Sequence, residues 1–96
     1  MPKGYFLGEI DVANPAAYEA YRSRVLPIVE KYGGRFLVRG GSPTAIEGGG
    51  FASRVIIIEF DSPEQAMVWY HCPEYQAIVP IRQANATTRA TILVGG

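Results

Sequence analysis

Four charged residues stand at alternating positions of otherwise apolar stretches: Glu9, Arg39, Glu59 and Arg89. A carboxylate such as Glu59 beside apolar residues can act as a proton acceptor, and an arginine can bind the anionic group of a small ligand. The same four residues can instead form ion pairs that serve only the structure. The residue types therefore predict either a polar ligand site, with Glu59 as the candidate catalytic base and Arg39 and Arg89 as ligand-binding residues, or a set of structural ion pairs.

Arg82 and Trp69 are two further candidate ligand-binding residues. Arg82 shares a helical face with Tyr75, Ile78 and Val79, where a charged group needs a partner. We expect it either to pair with a carboxylate inside the fold or to meet a ligand at the rim of a cleft. Trp69 can line a pocket for an aromatic or hydrophobic ligand, although its helical spacing is more typical of a core residue.

The single histidine, His71, and the single cysteine, Cys72, are neighbours in the chain. Adjacent side chains point apart, which argues against a nucleophilic Cys–His pair, and we expect both residues to end a helix before Pro73. With no second His or Cys, the sequence predicts no metal site. It also contains no Ser-His-Asp set, no dinucleotide fingerprint and no phosphate-binding loop, so no cofactor is predicted.

The composition restricts the partners and the compartment. Nine basic residues balance nine acidic ones, which argues against a surface for nucleic acid or for an anionic membrane. One cysteine cannot form an internal disulfide and is typical of a reducing compartment. The sequence shows no signal-peptide pattern and no apolar run of membrane-spanning length, so we expect a cytoplasmic protein. A chain of 96 residues predicts one domain, residues 1–96.

The arrangement of apolar residues predicts four strands and two helical regions. The run Arg54 to Asp61 is short and β-branched, and it is apolar on both faces, which is typical of a central strand covered on both sides. Asn14-Pro15 predicts a helix start and Gly33-Gly34 its end, with Pro27 bending the helix between them. The other predicted elements are strands over Gly4 to Val12, Arg35 to Arg39 and Thr87 to Val94, a possible strand continuation over Thr44 to Glu47, a helix after the Ser62–Gln65 capping box, and a helical segment from Pro73 that Pro80 kinks or splits.

This order, βαββαβ, predicts an α+β fold: the ferredoxin-like split βαβ sandwich with an antiparallel sheet and its helices on one face. The expected strand order makes Arg39 a neighbour of Glu59, and Arg89 a neighbour of Glu9, on the face that the helices leave open. Apolar residues, including Tyr5, Leu7, Val55, Ile57, Leu37 and Leu93, share that face. Such a face predicts a homodimer in which two sheets pack together.

The motifs also resemble those of a known family, the domain of unknown function numbered 1330. The resemblance covers nearly the whole chain and is carried by Gly4-Tyr5, Tyr21-Arg22, the run Tyr32 to Gly41, Glu47-Gly48, Ile58-Glu59-Phe60, Trp69-Tyr70, Pro73-Glu74-Tyr75 and Arg82. It implies a dimeric α/β barrel, and it implies no activity, because that family has no assigned reaction. Haem-handling relatives within the superfamily supply a helical histidine, and His71 does not match that placement.

We therefore expect a homodimer that binds a small organic molecule without a cofactor, through Arg39, Glu59, Trp69, Arg82 and Arg89. One alternative is a cofactor-independent enzyme of the monooxygenase or isomerase type, in which Glu59 accepts a proton and an arginine stabilises an enolate-like oxygen. Another is a dimeric module with no ligand.

Overall fold

A computed structural model describes residues 2–96, which form a four-stranded sheet and three helices. The elements are β1 (Gly4–Val12), α1 (Pro15–Lys31), β2 (Arg35–Gly41), β3 (Arg54–Phe60), α2 (Pro63–His71), α3 (Pro73–Asn85) and β4 (Ala86–Val94). The strand order is β2-β3-β1-β4, and every neighbouring pair is antiparallel. The predicted ferredoxin-like α+β fold is confirmed.

The helix boundaries follow from local capping. The Asn14 side chain accepts a hydrogen bond from the Ala17 amide at 3.2 Å, and Ser62 accepts one from the Gln65 amide at 3.0 Å. The Gln65 side chain does not complete the predicted capping box, because it donates to the Tyr32 carbonyl at 2.8 Å. It thereby ties the start of α2 to the end of α1.

Cys72 separates α2 from α3. It ends the first helix in an extended conformation, and its sulfur accepts from the Tyr75 amide at 3.4 Å to start the second. The prediction that His71 and Cys72 end a helix before Pro73 is therefore confirmed. Pro80, in contrast, does not split its helix, because α3 runs unbroken to Asn85.

Trp69 is the centre of the hydrophobic core. It is completely buried, and its ring lies 4.2 Å from the Tyr75 ring, 5.2 Å from Phe6 and 5.4 Å from Phe60, centroid to centroid. Truncating a fully buried aromatic side chain of this kind costs about 3–5 kcal/mol of folding free energy. Trp69 therefore holds α2 and α3 against β1 and β3.

Strand β2 contains two β-bulges, and the first one corrects a prediction. Regular alternation would place Leu37 and Arg39 on the open face with Arg35. The register instead shifts between Phe36 and Val38, so that Val38 lies opposite Ile57 and Arg39 opposite Ile56, on the helix side. A one-residue shift moves every later side chain to the other face of the sheet. Arg39 therefore cannot be the neighbour of Glu59.

The second bulge lies at the glycine pair Gly40-Gly41. Its register shift falls between Arg39 and Gly41, and Gly40 has a φ of 78°. The predicted continuation over Thr44 to Glu47 is wrong, because β2 ends at Gly41 and residues 42–53 form no strand.

The helices cover one face of the sheet and leave the other open. Residues 4–10 of β1 and residues 55–60 of β3 alternate between buried and half-buried, as expected when one face packs against helices and the other meets solvent. Within residues 2–96, no helix has the length and apolar content needed to cross a membrane. The apolar side chains that are on the open face and only partly covered are Tyr5, Leu7, Val38, Val55, Ile57 and Leu93.

Glu74 links the start of α3 to the end of α1, and this contact predicts a pH dependence of stability. Lys31 forms an ion pair with Glu74, and the Tyr32 hydroxyl donates to it at 2.9 Å. The hydrogen bond from Lys31, then the α3 backbone and Tyr32, lower the pKa of Glu74 to about 2 from an ordinary 4.5. Because the unfolded chain binds this proton more readily, the contribution of Glu74 is complete above pH 4.5 and is lost as the pH falls through about 2.

We expect Glu74→Gln to lower the free energy of unfolding at neutral pH and to flatten its decline over that acidic range. Urea unfolding at a series of pH values measures both effects. Glu64→Gln is the matched control, since it removes a carboxylate from the first turn of α2 at a position outside this cluster. An unchanged pH profile in Glu74→Gln would contradict the assignment.

Candidate functional site

A narrow cleft lies between the helix side of the sheet and the helices α1 and α3, and we call it the arginine cleft. Apolar and aromatic side chains form most of its surface, and four arginines and a threonine supply its polar groups. Its lining residues are Phe6, Ile10, Tyr18, Tyr21, Arg22, Val25, Phe36, Arg39, Arg54, Ile56, Ile58, Arg82 and Thr88.

The sheet places Arg54 and Thr88 on the floor of the cleft. Both residues lie opposite Ile10, Arg54 on β3 and Thr88 on β4. Ile10 points toward the helices and is buried, so its two cross-strand neighbours point the same way. The guanidinium carbon of Arg54 lies 5.8 Å from the Tyr18 ring centroid, an approach that suits a cation against an aromatic face.

Arg82 enters the cleft from α3 and is 4% exposed. Its guanidinium lies 5.8 Å from the Tyr21 ring centroid. The Tyr21 and Tyr75 hydroxyls hydrogen-bond each other at 2.7 Å beside it. Burial by itself would lower the pKa of Arg82, but Tyr75 and Tyr21 outweigh that effect and leave the pKa above its usual value. Arg82 is therefore a buried, permanent positive charge.

Arg39 and Arg22 form the exposed rim of the cleft. The Arg39 guanidinium lies 4.7 Å from the Phe36 ring centroid and donates to the Arg22 carbonyl at 3.1 Å. Arg22 itself forms an exposed ion pair with Glu19 at 3.3 Å. The rim thus carries exposed arginines, whereas Arg54 on the floor is half-buried and Arg82 is buried.

Most of the basic side chains that have no ion-pair partner among the described residues line the cleft. Five of the nine basic side chains form ion pairs within residues 2–96. The other four are Arg24, Arg39, Arg54 and Arg82, and the last three line the cleft. No carboxylate belongs to the lining residues.

Three buried polar atoms in the cleft also lack a hydrogen-bond partner. Four such side-chain atoms occur in the described part of the chain, and they are Arg54 Nε, Arg82 Nε, Thr88 Oγ1 and Trp69 Nε1. Only Trp69 lies outside the cleft. Buried polar groups normally have partners, so these three atoms leave hydrogen-bonding capacity unused in the cleft.

The free space in the cleft is small. The atom-free volume of the cleft, including the open space at its mouth, is about 390 Å³. The positions that the centre of a water molecule can occupy total only about 20 Å³. That is room for about one or two water-sized groups. A larger occupant therefore requires the rim arginines to move.

Glu59 and Arg89 lie on the open face of the sheet, away from the arginine cleft. Glu59 accepts hydrogen bonds from the Tyr5 hydroxyl at 2.9 Å and from Arg35 Nε at 2.6 Å. The bond from Tyr5, and then those from Arg35, lower the pKa of Glu59. The predicted pair between Arg39 and Glu59 is wrong, because the register of β2 against β3 places Arg35 directly opposite Glu59, and the bulge after Phe36 turns Arg39 to the helix side.

The other predicted pair is present, since Arg89 donates to both carboxylate oxygens of Glu9 at 2.9 and 3.0 Å. Of the five candidate ligand-binding residues, the structure brings together only Arg39 and Arg82. Trp69 is in the core and does not line the cleft.

Arg54 and Thr88 were missed as candidates, although the sequence contained a signal for Arg54. It lies two residues before Ile56 and four before Ile58 in one strand, so alternation alone places it on the helix side. Thr88 has no comparable signal, since a threonine in a strand is ordinary.

A second, shallower pocket lies between α2 and β4 and includes the exposed His71; its atom-free volume is about 680 Å³, and the positions open to the centre of a water molecule total about 380 Å³. Its polar groups come from Tyr70, His71 and Thr91. Within residues 2–96, no group of three or more His, Cys, Asp or Glu side chains is placed to hold a metal ion.

Comparison with solved structures shows the same fold in several proteins. A protein of unknown function from Rhodopseudomonas palustris is 24% identical, with a TM-score of 0.73 over 96% of this chain and 81% of that one. SnoaB, a cofactor-independent oxygenase from Streptomyces nogalater, is 13% identical, with a TM-score of 0.66 over 100% and 95% of the two chains. A dimeric ferredoxin-like protein of unknown function from Thermobifida fusca is 10% identical, with a TM-score of 0.59 over 97% and 91%.

No curated protein matches this chain. A family model does match it, over residues 3–96, and that model is described as a domain of unknown function, DUF1330. The match agrees with the resemblance of the motifs and extends over almost every residue. The chain therefore belongs to the DUF1330 family.

Proposed function

We propose that this protein is a homodimer that binds a small organic molecule in the arginine cleft of each subunit. The observation that carries the proposal is the set of three buried polar atoms, on Arg54, Arg82 and Thr88, that converge in the cleft without a partner. An apolar cleft with a few convergent polar groups is the usual form of a small-molecule site.

The chemistry of the cleft favours binding over catalysis. Its lining contains no carboxylate and no histidine, the side chains that most often transfer protons. Burial raises the pKa of Tyr21, which keeps that hydroxyl protonated at neutral pH. The arginines stay charged and cannot accept a proton. The cleft can therefore hold and polarise a molecule, but it lacks a base.

A second candidate function is a cofactor-independent enzyme of the oxygenase or isomerase type. Its support is SnoaB, which shares the fold and is described as a cofactor-independent oxygenase; this is an analogy of fold. The observations against this candidate function concern Glu59, which would have to act as the base. The low pKa of Glu59 and its bonds to Tyr5 and Arg35 make it a poor proton acceptor, and it faces away from the cleft.

The open face of the sheet supports self-association. Tyr5, Leu7, Val55, Ile57 and Leu93 leave an apolar surface partly exposed, and such surfaces mark association sites. The Thermobifida fusca protein with the same fold is described as dimeric. A twofold contact between two open faces would cover this surface in both subunits.

We expect Ile57→Asp to weaken the dimer by at least about a hundredfold, because the twofold axis buries the new charge twice without a partner. Sedimentation velocity measures the change. Val68→Asp is the matched control, since Val68 is 52% exposed on α2 and should leave the dimer intact. A chain that is monomeric without any substitution would contradict the proposed dimer.

We expect neutral and charged fragments from a screening library to bind in the arginine cleft. Two-dimensional amide NMR should show shifts at Tyr18, Arg54 and Thr88 when they bind. Glu59→Gln should bind the same fragments with unchanged affinity, because its side chain lies on the opposite face. Shifts confined to Leu7 and Arg89, or to Tyr70 and His71, would place the site elsewhere. Loss of binding in Glu59→Gln would favour the enzyme candidate.

A further inference from the structure

We propose that the molecule bound in the arginine cleft is a small organic oxyanion, a carboxylate or a phosphate, whose oxygens accept hydrogen bonds from Arg54, Arg82 and Thr88. This inference rests on the proposed binding function and specifies the chemical class of the ligand.

The unpaired positive charge of Arg82 favours an anionic ligand. Arg82 is 4% exposed and has no carboxylate partner within residues 2–96. A buried charge is normally paired, because removing it from water is costly. The nearest groups around its guanidinium are tyrosines, which moderate the charge without neutralising it. An anion in the cleft supplies the opposite charge that the protein itself omits.

The unpartnered atoms in the cleft are hydrogen-bond donors, which also favours an oxyanion. The two unpartnered arginine atoms, Arg54 Nε and Arg82 Nε, can only donate, and Thr88 Oγ1 can donate as well. A ligand that satisfies all three must present acceptors. A carboxylate or phosphate presents two or three oxygens close together, which is the arrangement that a guanidinium group binds best. The small inner volume of the cleft suits such a compact head group.

The backbone at Gly40 leaves room for the Arg54 guanidinium. Gly40 has a φ of 78°, and a Cβ atom there would lie 2.3 Å from Arg54 Nη1 and 2.6 Å from Arg54 Cζ. A side chain at Gly40 would therefore push Arg54 out of its place. The glycine of the second β2 bulge thus has a positional role in the cleft.

The side chains that line the cleft indicate the chemical nature of the uncharged part of the ligand. Beyond the three donors and the rim arginines, its surface is formed by aliphatic side chains and by four aromatic rings, those of Phe6, Tyr18, Tyr21 and Phe36. Flat apolar groups pack well against aromatic faces. We therefore choose benzoate and phenyl phosphate as probes, with benzamide as the neutral match in shape and inorganic phosphate as the head group without a body.

The test measures the affinity of these four probes for the full chain by calorimetry, with amide NMR to locate each one. We expect benzoate or phenyl phosphate to bind in the cleft at least about tenfold more tightly than benzamide, as a charge-assisted hydrogen bond requires. Whichever of the two binds better identifies the head group. Inorganic phosphate alone should bind more weakly, because it lacks contact with the aromatic walls.

Variants then assign the donors. Arg54→Gln and Arg82→Gln should each weaken binding of the preferred anion by about tenfold or more, whereas Arg24→Gln, an exposed change on α1, should not alter it. If Arg82→Gln fails to fold, Arg54→Gln decides alone, because Arg54 is only half-buried at the start of β3.

Three results would overturn the inference or its foundation. Equal affinity for benzamide and benzoate in the cleft would overturn the anion while leaving the proposed binding function intact. Unchanged binding in Arg54→Gln would remove Arg54 from the site and refute the shared-donor geometry. No cleft binding by any probe or library fragment would overturn both the inference and the proposed function.

Discussion

A buried guanidinium without a carboxylate is the constraint on which the helix side of this fold depends. Arg82 projects from α3 among the sheet, Tyr21 and Tyr75, and it is almost fully covered. Packing that was entirely aliphatic would make such a charge intolerable. The aromatic rings and hydroxyl groups around it reduce that cost, and they leave an adjacent space that the protein does not fill. The arginine cleft is that space, so the contact that stabilises Arg82 also defines where a ligand can enter.

The two faces of the sheet differ in how their charged side chains are paired. On the open face, two carboxylates meet a cation across neighbouring strands, Glu59 with Arg35 and Glu9 with Arg89, and Asp11 accepts from the Ser53 amide. On the helix side, Arg39 and Arg54 have no such partner within residues 2–96. The chain has no net charge, yet its folding separates a neutralised face from a cationic one. A small anion can therefore be attracted to one location on a protein that is neutral as a whole.

This division also separates the two proposed activities in space. Association through the open face would involve the apolar strand residues and leave the arginine cleft on the far side of the sheet. A ligand that enters between α1 and α3 would not compete with a second subunit. The two kinds of binding can therefore be measured independently, because Ile57 lies on the face of the sheet opposite to the arginine cleft.

The sequence by itself determined the fold and most of its boundaries. Alternation in Gly4 to Val12, the double apolar face of the central strand, and the caps at Asn14, Ser62 and Cys72 depend on neighbours in the chain, and such local signals can be read directly. The order of elements then predicted the sheet and the pairing of Glu9 with Arg89. Alternation also pointed Arg54 toward the helices, although its part in a site needed the helices in place.

Only the tertiary structure decided which charges meet. The bulge at Leu37 cannot be predicted from residue types, and it places Arg39 on the helix side, while the register of β2 against β3 places Arg35 opposite Glu59. Trp69 became a core residue because α2 and α3 close over it, a long-range effect that helical spacing does not reveal. The absence of a carboxylate beside Arg82 depends on how α1, α3 and the sheet come together. A site whose lining residues come from six helices and strands is a property of packing, which is why the sequence predicted only two of the arginines in it, Arg39 and Arg82.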